Sequence, residues 1–164
     1  MLSAPEPLAG HHPIAAFDSG VPSLDEWLKR RAAQNQASGA SRTFVSCDGA
    51  KVVGYYALAS SAVARAAVSG RFRRNMPDPI PVVVLGRLAV AQSCQGRALG
   101  WALFQDAARR VIHPAEVIGI RGLLVHALSE EAKAFYLHHG PDESPLEPMT
   151  LMIAIADLRA ALGK

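Results

Sequence analysis

Apolar residues along this chain fall into two periodicities. Thr43 to Cys47 and Val52 to Ala59 are rich in β-branched and aromatic residues, and Asp48-Gly49 between them predicts a hairpin. Val82-Val83-Val84-Leu85, continuing to Val90, predicts a buried strand. Leu103, Phe104, Ala107, Ala108 and Val111 then recur at helical spacing, with Gln105, Asp106, Arg109 and Arg110 on the opposite face. Ile118 to Ala127 reads as another strand. Ser129 reads as the N-cap of a helix with Glu130 and Glu131 in its first turn and Gly140 at its end. Met149 to Ile155 predicts the last strand and Asp157 to Leu162 a short helix. Nearer the start, Ile14 to Phe17 predicts a short strand. Ser23 is expected to cap a helix whose stripe of Leu24, Trp27, Leu28 and Ala32 runs up to Gln36. Residues 1 to 12 are punctuated by Pro and Gly and are expected to lie loosely. Ser60 to Pro81 is long enough to hide a short helix around Ala62 to Val68.

With 164 residues, 50% of them hydrophobic and 19% charged, residues 1–164 are expected to form one domain with its own core. Met1 to Gly10 has neither a basic start nor an apolar run, and no stretch reaches the ~18 apolar residues of a membrane helix. Cys47 and Cys94 form no disulfide framework or paired metal motif, and His11 and His12 have no partner at metal spacing. The default is therefore a cytoplasmic protein with no metal.

Charge changes the picture through its distribution. Residues 27 to 77 carry nine basic side chains (Lys29, Arg30, Arg31, Arg42, Lys51, Arg65, Arg71, Arg73 and Arg74) against one acid, Asp48, a net +8. The whole chain is only +3, so the remainder sums to −5. One strongly basic third in an otherwise acidic chain points to a polyanionic partner.

The candidate chemistry lies where the Val82 strand gives way to the amphipathic helix, at Gln95-Gly96-Arg97-Ala98-Leu99-Gly100. A helix start leaves backbone N–H groups unpaired and carries partial positive charge, so it accepts an anion. Small residues at Gly96, Ala98 and Gly100 let a pyrophosphate approach, with Gln95 and Arg97 available as donors. Neither a Gly-x-Gly-x-x-Gly fingerprint nor a Gly-Lys-Ser/Thr loop is present.

Gln95-x-x-Ala98-x-Gly100 resembles motif A of the GNAT superfamily of N-acetyltransferases, with Ala98 where that family usually has glycine. Placed within the first helical turn, Ala98 is expected to need no left-handed conformation. The order of elements also resembles the GNAT fold, an α+β fold with a central mixed sheet whose parallel strands splay apart and are flanked by helices. More specifically, the chain resembles the toxin branch of bacterial toxin–antitoxin acetyltransferases. That likeness is carried by Leu24-Asp25-x-Trp27-Leu28, Ala32-x-Gln34-Asn35-Gln36, Ser41-Arg42-Thr43-Phe44-Val45, Gly54-Tyr55-Tyr56-Ala57-Leu58, Pro79-Ile80-Pro81, Leu85-Gly86-Arg87-Leu88-Ala89-Val90 and Ala134-Phe135-Tyr136-x-x-His139-Gly140. Gly140-Pro141 departs from the branch's usual Gly-Phe.

The resemblance implies acetyl transfer from acetyl-CoA to the α-amino group of aminoacyl-tRNA, which blocks translation. It places acetyl-CoA on Leu88, Ala89, Val90, Gln95, Gly96, Arg97, Ala98, Leu99 and Gly100, and makes Tyr136 the acid that serves the leaving thiolate. The basic side chains Lys29, Arg30, Arg31, Arg65, Arg71, Arg73 and Arg74 are the expected tRNA contacts. A ribbon-helix-helix antitoxin is the implied protein partner, and the oligomeric state stays open, a homodimer included. His126, His138 and His139 are alternative acid–base groups, read instead as a capped core histidine and as cations at a helix C-terminus. The rival functions are a GNAT enzyme acting on a protein N-terminus or small amine, and a silent module that binds CoA or RNA.

Overall fold

The computed structural model describes residues 1–96 and 98–162. In chain order the elements are β1 (Glu6–Pro7), α1 (Pro22–Arg30), α2 (Ala32–Ser38), β2 (Arg42–Asp48), β3 (Lys51–Val63), α3 (Gly70–Arg73), β4 (Ile80–Val90), α4 (Leu99–Ile112), β5 (Gly122–His126), α5 (Glu130–His138), β6 (Asp142–Glu143), β7 (Thr150–Ala154) and α6 (Ile155–Ala161). The seven strands form one mixed sheet in the order β1-β2-β3-β4-β5-β7-β6, which is the α+β architecture expected. The chain divides into two compact units, Met1–Ala59 with Gly86–Ala107, and Ser60–Leu85 with Ala108–Lys164.

In the first unit β2 and β3 pair antiparallel, as the hairpin signal predicts, with Asp48 opposite Lys51 and Gly49 at φ 63° in the turn. Tyr55 and Tyr56, both fully buried, put a large apolar surface on β3. Phe17 packs edge-on against Tyr55 at 5.6 Å, and the Tyr55 hydroxyl, which needs an acceptor once buried, donates to Leu24 O at 2.6 Å.

Four expectations change here. Residues 1 to 12 are tied down: β1 pairs with β2, and Ser46 Oγ donates to Ser3 O at 2.6 Å, so an edge that would expose N–H and C=O groups is covered. Ile14 to Phe17 is a turn closed by Phe17 N–H to Ile14 O at 3.1 Å, which swings the Phe17 ring into the core. Ser23 is not the cap of α1. Pro22 takes the first helical position, where a missing N–H does no harm, and Asp25 accepts from Ser19 N and Ser19 Oγ at 3.0 and 2.7 Å. The helix expected to reach Gln36 is interrupted at Arg31, the C-cap of α1 and N-cap of α2, and Gly39 at φ 83° ends the second piece.

His12 also differs from its reading. It is buried, its Nδ1 accepts from Ala9 N–H at 2.9 Å, and its Nε2 meets Glu6 Oε2 at 2.9 Å, so folding supplies the partner that spacing in the sequence does not. Because Nδ1 is the acceptor, the proton sits on Nε2 and is donated to Glu6. The ring thus fastens the Pro-rich segment to β1.

In the second unit β4 runs parallel to β5 over Val82–Leu85 and Gly122–Val125, and β5 pairs antiparallel with β7. Val68, Phe72, Ile80, Val82, Leu124 and Met152 make its core. Of the helix expected around Ala62 to Val68 only a 3-10 turn at Arg65–Ala67 forms, since β3 runs on to Val63; α3 lies beyond that range, with Phe72 as its buried anchor. β5 is shorter than Ile118 to Ala127, because a 3-10 turn at Pro114–Glu116 leaves Val117 and Ile118 exposed. β6 answers to no hydrophobic pattern. It forms because β7 offers an edge, pairing Asp142 with Met152 and Glu143 with Leu151.

A Cβ on Gly122 would lie 2.2 Å from Ile153 O and 2.8 Å from Phe72 Cε1, with backbone on one side and a core ring on the other. Gly122→Ala is therefore expected to lower stability by about 2 kcal/mol or more in urea denaturation, since the β5–β7 pairing has to part. A midpoint equal to wild type would show that the strands adjust freely.

Candidate functional site

The end of β4 and the turn that follows are built from interactions within the first unit. Ala91 N–H donates to Val53 O at 2.8 Å, Gln92 N–H to Asp18 O at 2.9 Å, and Cys94 N–H to Ala91 O at 2.9 Å. The Gln95 side chain then locks the turn: its Nε2 donates to Ser19 O and Val90 O, both at 2.9 Å. A carboxamide has two N–H hydrogens and both are used here, so Gln95 shapes the turn rather than offering free donors to an anion.

Beyond Gln95 the backbone turns left-handed twice, with φ 82° at Gly96 and φ 62° at Ala98. Ala98 therefore departs from expectation. It sits just before α4, and its own carbonyl accepts a helical bond from Ala102 N–H at 3.1 Å. The Cβ of an L-residue crowds the carbonyl in this conformation, which explains why glycine suits the position. The N–H groups of Leu99 and Gly100, at the start of the helix, have no intrahelical acceptor. A Cβ on Gly96 would meet nothing within 4 Å, so the approach over the turn is open. Arg97 lies outside the described residues.

α4 is held against β3 at this end. Gly54 has room only for a hydrogen, since a Cβ there would lie 3.0 Å from Leu103 Cδ1 and 3.4 Å from Leu99 Cδ2. Asp106, read from periodicity as solvent-facing, accepts a hydrogen bond from the buried Tyr56 hydroxyl. Leu103, Phe104, Ala107, Ala108 and Val111 are all buried, as the helical stripe predicts. Leu88 and Val90 are half-buried and Ala89 is buried on β4. On the same unit Lys29, Arg30 and Arg31 are exposed at the end of α1, with Arg30 paired to Glu26 at 2.9 Å.

The remaining candidates lie in the second unit. α5 is capped as predicted, Ser129 Oγ accepting from Ala132 N–H at 3.0 Å. Tyr136 is 5% exposed, and burial raises its phenol well above the ordinary value near 10. That shift makes Tyr136 a reluctant acid and a persistent O–H donor. His139 is lowered by desolvation and by the neighbouring His138 charge. His126 is exposed rather than a core histidine, its Nδ1 meeting Thr150 Oγ1 at 3.1 Å, because β5 ends there.

The arginines of the Arg65 to Arg74 connection differ in availability. Arg71 binds Asp142 through Nε at 2.6 Å and Nη2 at 2.9 Å. Arg73 Nη1 donates to Val68 O at 3.0 Å and to Arg65 O at 3.4 Å, and Arg65 Nη2 reaches back to Arg73 O at 3.4 Å. These three hold the loop together. Arg74 is exposed and has no partner among the described residues. The contiguous basic third of the sequence is thus shared between the two units.

One feature of the first unit has no counterpart among the sequence-derived candidates. The Arg87 guanidinium lies 5.2 Å over the Trp27 ring, which in turn stacks on Tyr55 at 6.0 Å and 7°. A lone charge inside the apolar Val82 to Val90 run is the signal that marks it.

No family model matches the chain. It is similar to the tRNA-acetylating toxin of Mycobacterium tuberculosis, at 50% identity over 161 residues, 98% of this chain and 97% of that protein. It is also similar to the probable toxin TacT of Sinorhizobium fredii, at 29% identity over 170 residues, 96% and 94% of the two chains. Among solved structures it matches a tyrosine-to-phenylalanine mutant of KacT with a TM-score of 0.89, 30% identity and coverage of 97% and 98%. AtaT complexed with acetyl-methionyl-tRNAfMet matches with a TM-score of 0.90 at 28% identity, covering 98% of each chain. A tyrosine-to-phenylalanine mutant of AtaT, bound to the C-terminus of the antitoxin AtaR and acetyl-CoA, matches with a TM-score of 0.86 at 27% identity, covering 99% of each.

The left-handed Ala98 gives a direct stability test. Ala98→Gly is expected to stabilise the fold by about 1 kcal/mol, while Ala98→Val, β-branched at φ 62°, should destabilise it by more than that. Equal melting temperatures for the three proteins would contradict this backbone conformation.

Proposed function

The chain belongs to the family of tRNA-acetylating toxins, and from that premise we propose that it moves the acetyl group of acetyl-CoA to the α-amino group of aminoacyl-tRNA and thereby stops translation. The observation that carries this reading is the 50% identity over nearly the whole of both chains to a protein of that activity. An antitoxin partner follows from the same relationship, and a ribbon-helix-helix protein is the kind expected. Among the described residues no helix is long and apolar enough to cross a membrane, and the cytoplasm, where charged tRNA is found, is the proposed site of action.

When bound, acetyl-CoA supplies the acetyl group as a thioester. The turn at Gly96, with the unpaired N–H groups of Leu99 and Gly100 at the positive helix end, is proposed to hold the pyrophosphate, and Leu88 to Val90 to hold the acyl arm through strand N–H and C=O groups. The Val90 N–H is the proposed donor to the carbonyl oxygen on which negative charge gathers. An α-amine with pKa near 8 is partly neutral at pH 7, so the nucleophile needs no dedicated base. The nitrogen sheds one proton on forming the amide and the CoA thiolate takes one up. Tyr136 is proposed to donate its hydrogen bond to that thiolate. Burial keeps the phenol protonated, so its contribution persists across the pH range in which the amine loses its proton. Arginines on both units suit a polyanionic acceptor better than a cationic small amine, which favours an acidic pocket.

The test is incubation of charged tRNA with labelled acetyl-CoA, followed by thin-layer separation of the released aminoacyl product. Label in N-acetyl-aminoacyl product is expected. Label found only on a protein N-terminus or a small amine would replace this reading. Tyr136→Phe, which removes one hydroxyl and almost no volume, should cost at least tenfold in turnover, about 1.4 kcal/mol, with unchanged acetyl-CoA affinity. Turnover within threefold of wild type removes Tyr136 from the mechanism. Arg74→Ala should flatten the dependence of tRNA affinity on salt by about one phosphate contact, whereas Arg73→Ala should chiefly lower stability. An unchanged salt slope in Arg74→Ala would exclude that contact.

A further inference from the structure

We propose that Arg87, held over the Trp27 ring, is the binding site for the phosphodiester of the acceptor's 3′-terminal nucleotide, the phosphate nearest the amine that is acetylated. The proposal rests on the aminoacyl-tRNA reading and adds to it a residue and the ligand group it takes.

Arg87 stands on β4 immediately before Leu88, in a strand otherwise apolar from Val82 to Val90 apart from Gly86. Its guanidinium lies over the Trp27 ring, and Trp27 is backed in turn by the fully buried Tyr55 at 7° from parallel. Tyr55 is itself fixed by its bond to Leu24 O at 2.6 Å and by the Phe17 ring. The guanidinium therefore lies over an aromatic stack that rests on the core of the first unit.

A guanidinium has five N–H donors, and among the described residues Arg87 uses one, Nη1 to Gly86 O at 3.2 Å. Among the described residues no carboxylate pairs with it: Asp25, whose charge acts on Tyr55 alongside that of Arg87, is held by Ser19 N and Ser19 Oγ. A planar and largely unused fork is the donor set that matches two oxygens of a phosphate. Arg87 contrasts in this with Arg71 and Arg73, whose donors hold their loop.

Position along the strand identifies which phosphate. Val90 lies three positions after Arg87, about 10 Å at strand rise. In aminoacyl-tRNA the α-amine is joined through an ester to the terminal ribose, and the 5′ phosphodiester of that nucleotide is the first anion along the chain. Lys29, Arg30 and Arg31, on the same helix as Trp27, continue positive charge along the first unit for phosphates further on.

The experiment compares two truncated acceptors with purified full-length protein: 3′-aminoacyl-adenosine, which has no phosphate, and 3′-aminoacyl-cytidylyl-adenosine, which adds that one phosphodiester. Wild type is expected to acetylate the dinucleotide with kcat/KM at least about tenfold higher. R87Q should bring the two substrates within about threefold of each other, with its rate on aminoacyl-adenosine and its acetyl-CoA affinity unchanged. Equal loss on both substrates would mean that Arg87 only supports the fold, and a preference retained in R87Q would mean that the phosphate binds elsewhere; either overturns the proposal. If R87Q does not fold, R87K keeps the charge without the planar fork and should lower the preference at least threefold, an unchanged preference counting against the proposal. Acetylation of full-length charged tRNA in the same preparation separates failure of this site from failure of the proposed function.

Discussion

The Gln95 carboxamide, bridging Ser19 O and Val90 O, is the constraint on which the candidate site depends. It joins the end of β4 to the loop before α1 and fixes where the chain reverses. From there the backbone passes through two left-handed residues, Gly96 and Ala98, before α4 begins. An anion cradle needs N–H groups that converge and stay put, and a turn of this kind supplies them only if its base is rigid. Gln95 gives up both of its donors to provide that rigidity. The strain at Ala98, of order 1 kcal/mol, is sustained because α4 is anchored further along by Tyr56 and Asp106 and by close packing over Gly54.

Much of this was legible in the sequence where periodicity and packing agree. The β2–β3 hairpin, the β4 strand, the buried stripe of α4 and the Ser129 cap all follow from local patterns that tertiary structure reinforces. The misreadings share a different cause. Residues 1 to 12 gain order from the β2 edge and from the contact of His12 with Glu6, and β6 gains its order from β7; both depend on partners more than five residues away or on an edge that local pattern does not describe. At Ser23 the capping signal lost to Pro22, which is better suited to the first turn, and to Asp25, which bonds Ser19 instead.

The site was legible as a set of residue types and less so as a set of roles. Gln95 opens the Gln95-x-x-Ala98-x-Gly100 pattern, but its side chain acts on the chain itself. The basic third of the sequence reads as one polyanion surface, whereas Arg65, Arg71 and Arg73 are engaged in holding a loop while Arg74, Lys29 and Arg31 lie exposed. Charge counting does not separate these cases, because an arginine bonded to backbone carbonyls and one bathed in solvent have the same sequence. Arg87 was hidden for the opposite reason: a single charge in an apolar strand adds little to any regional sum, and its meaning appears only with Trp27 beneath it.

The role proposed for the turn locked by Gln95 is to bind acetyl-CoA. Amide hydrogen exchange with and without acetyl-CoA tests it without recourse to turnover. Slower exchange is predicted at Gly96, Ala98, Leu99 and Gly100, with Gln95→Met losing most of that protection even at ligand concentrations that saturate wild type. Tight acetyl-CoA binding that leaves exchange at these four amides unchanged would contradict the account.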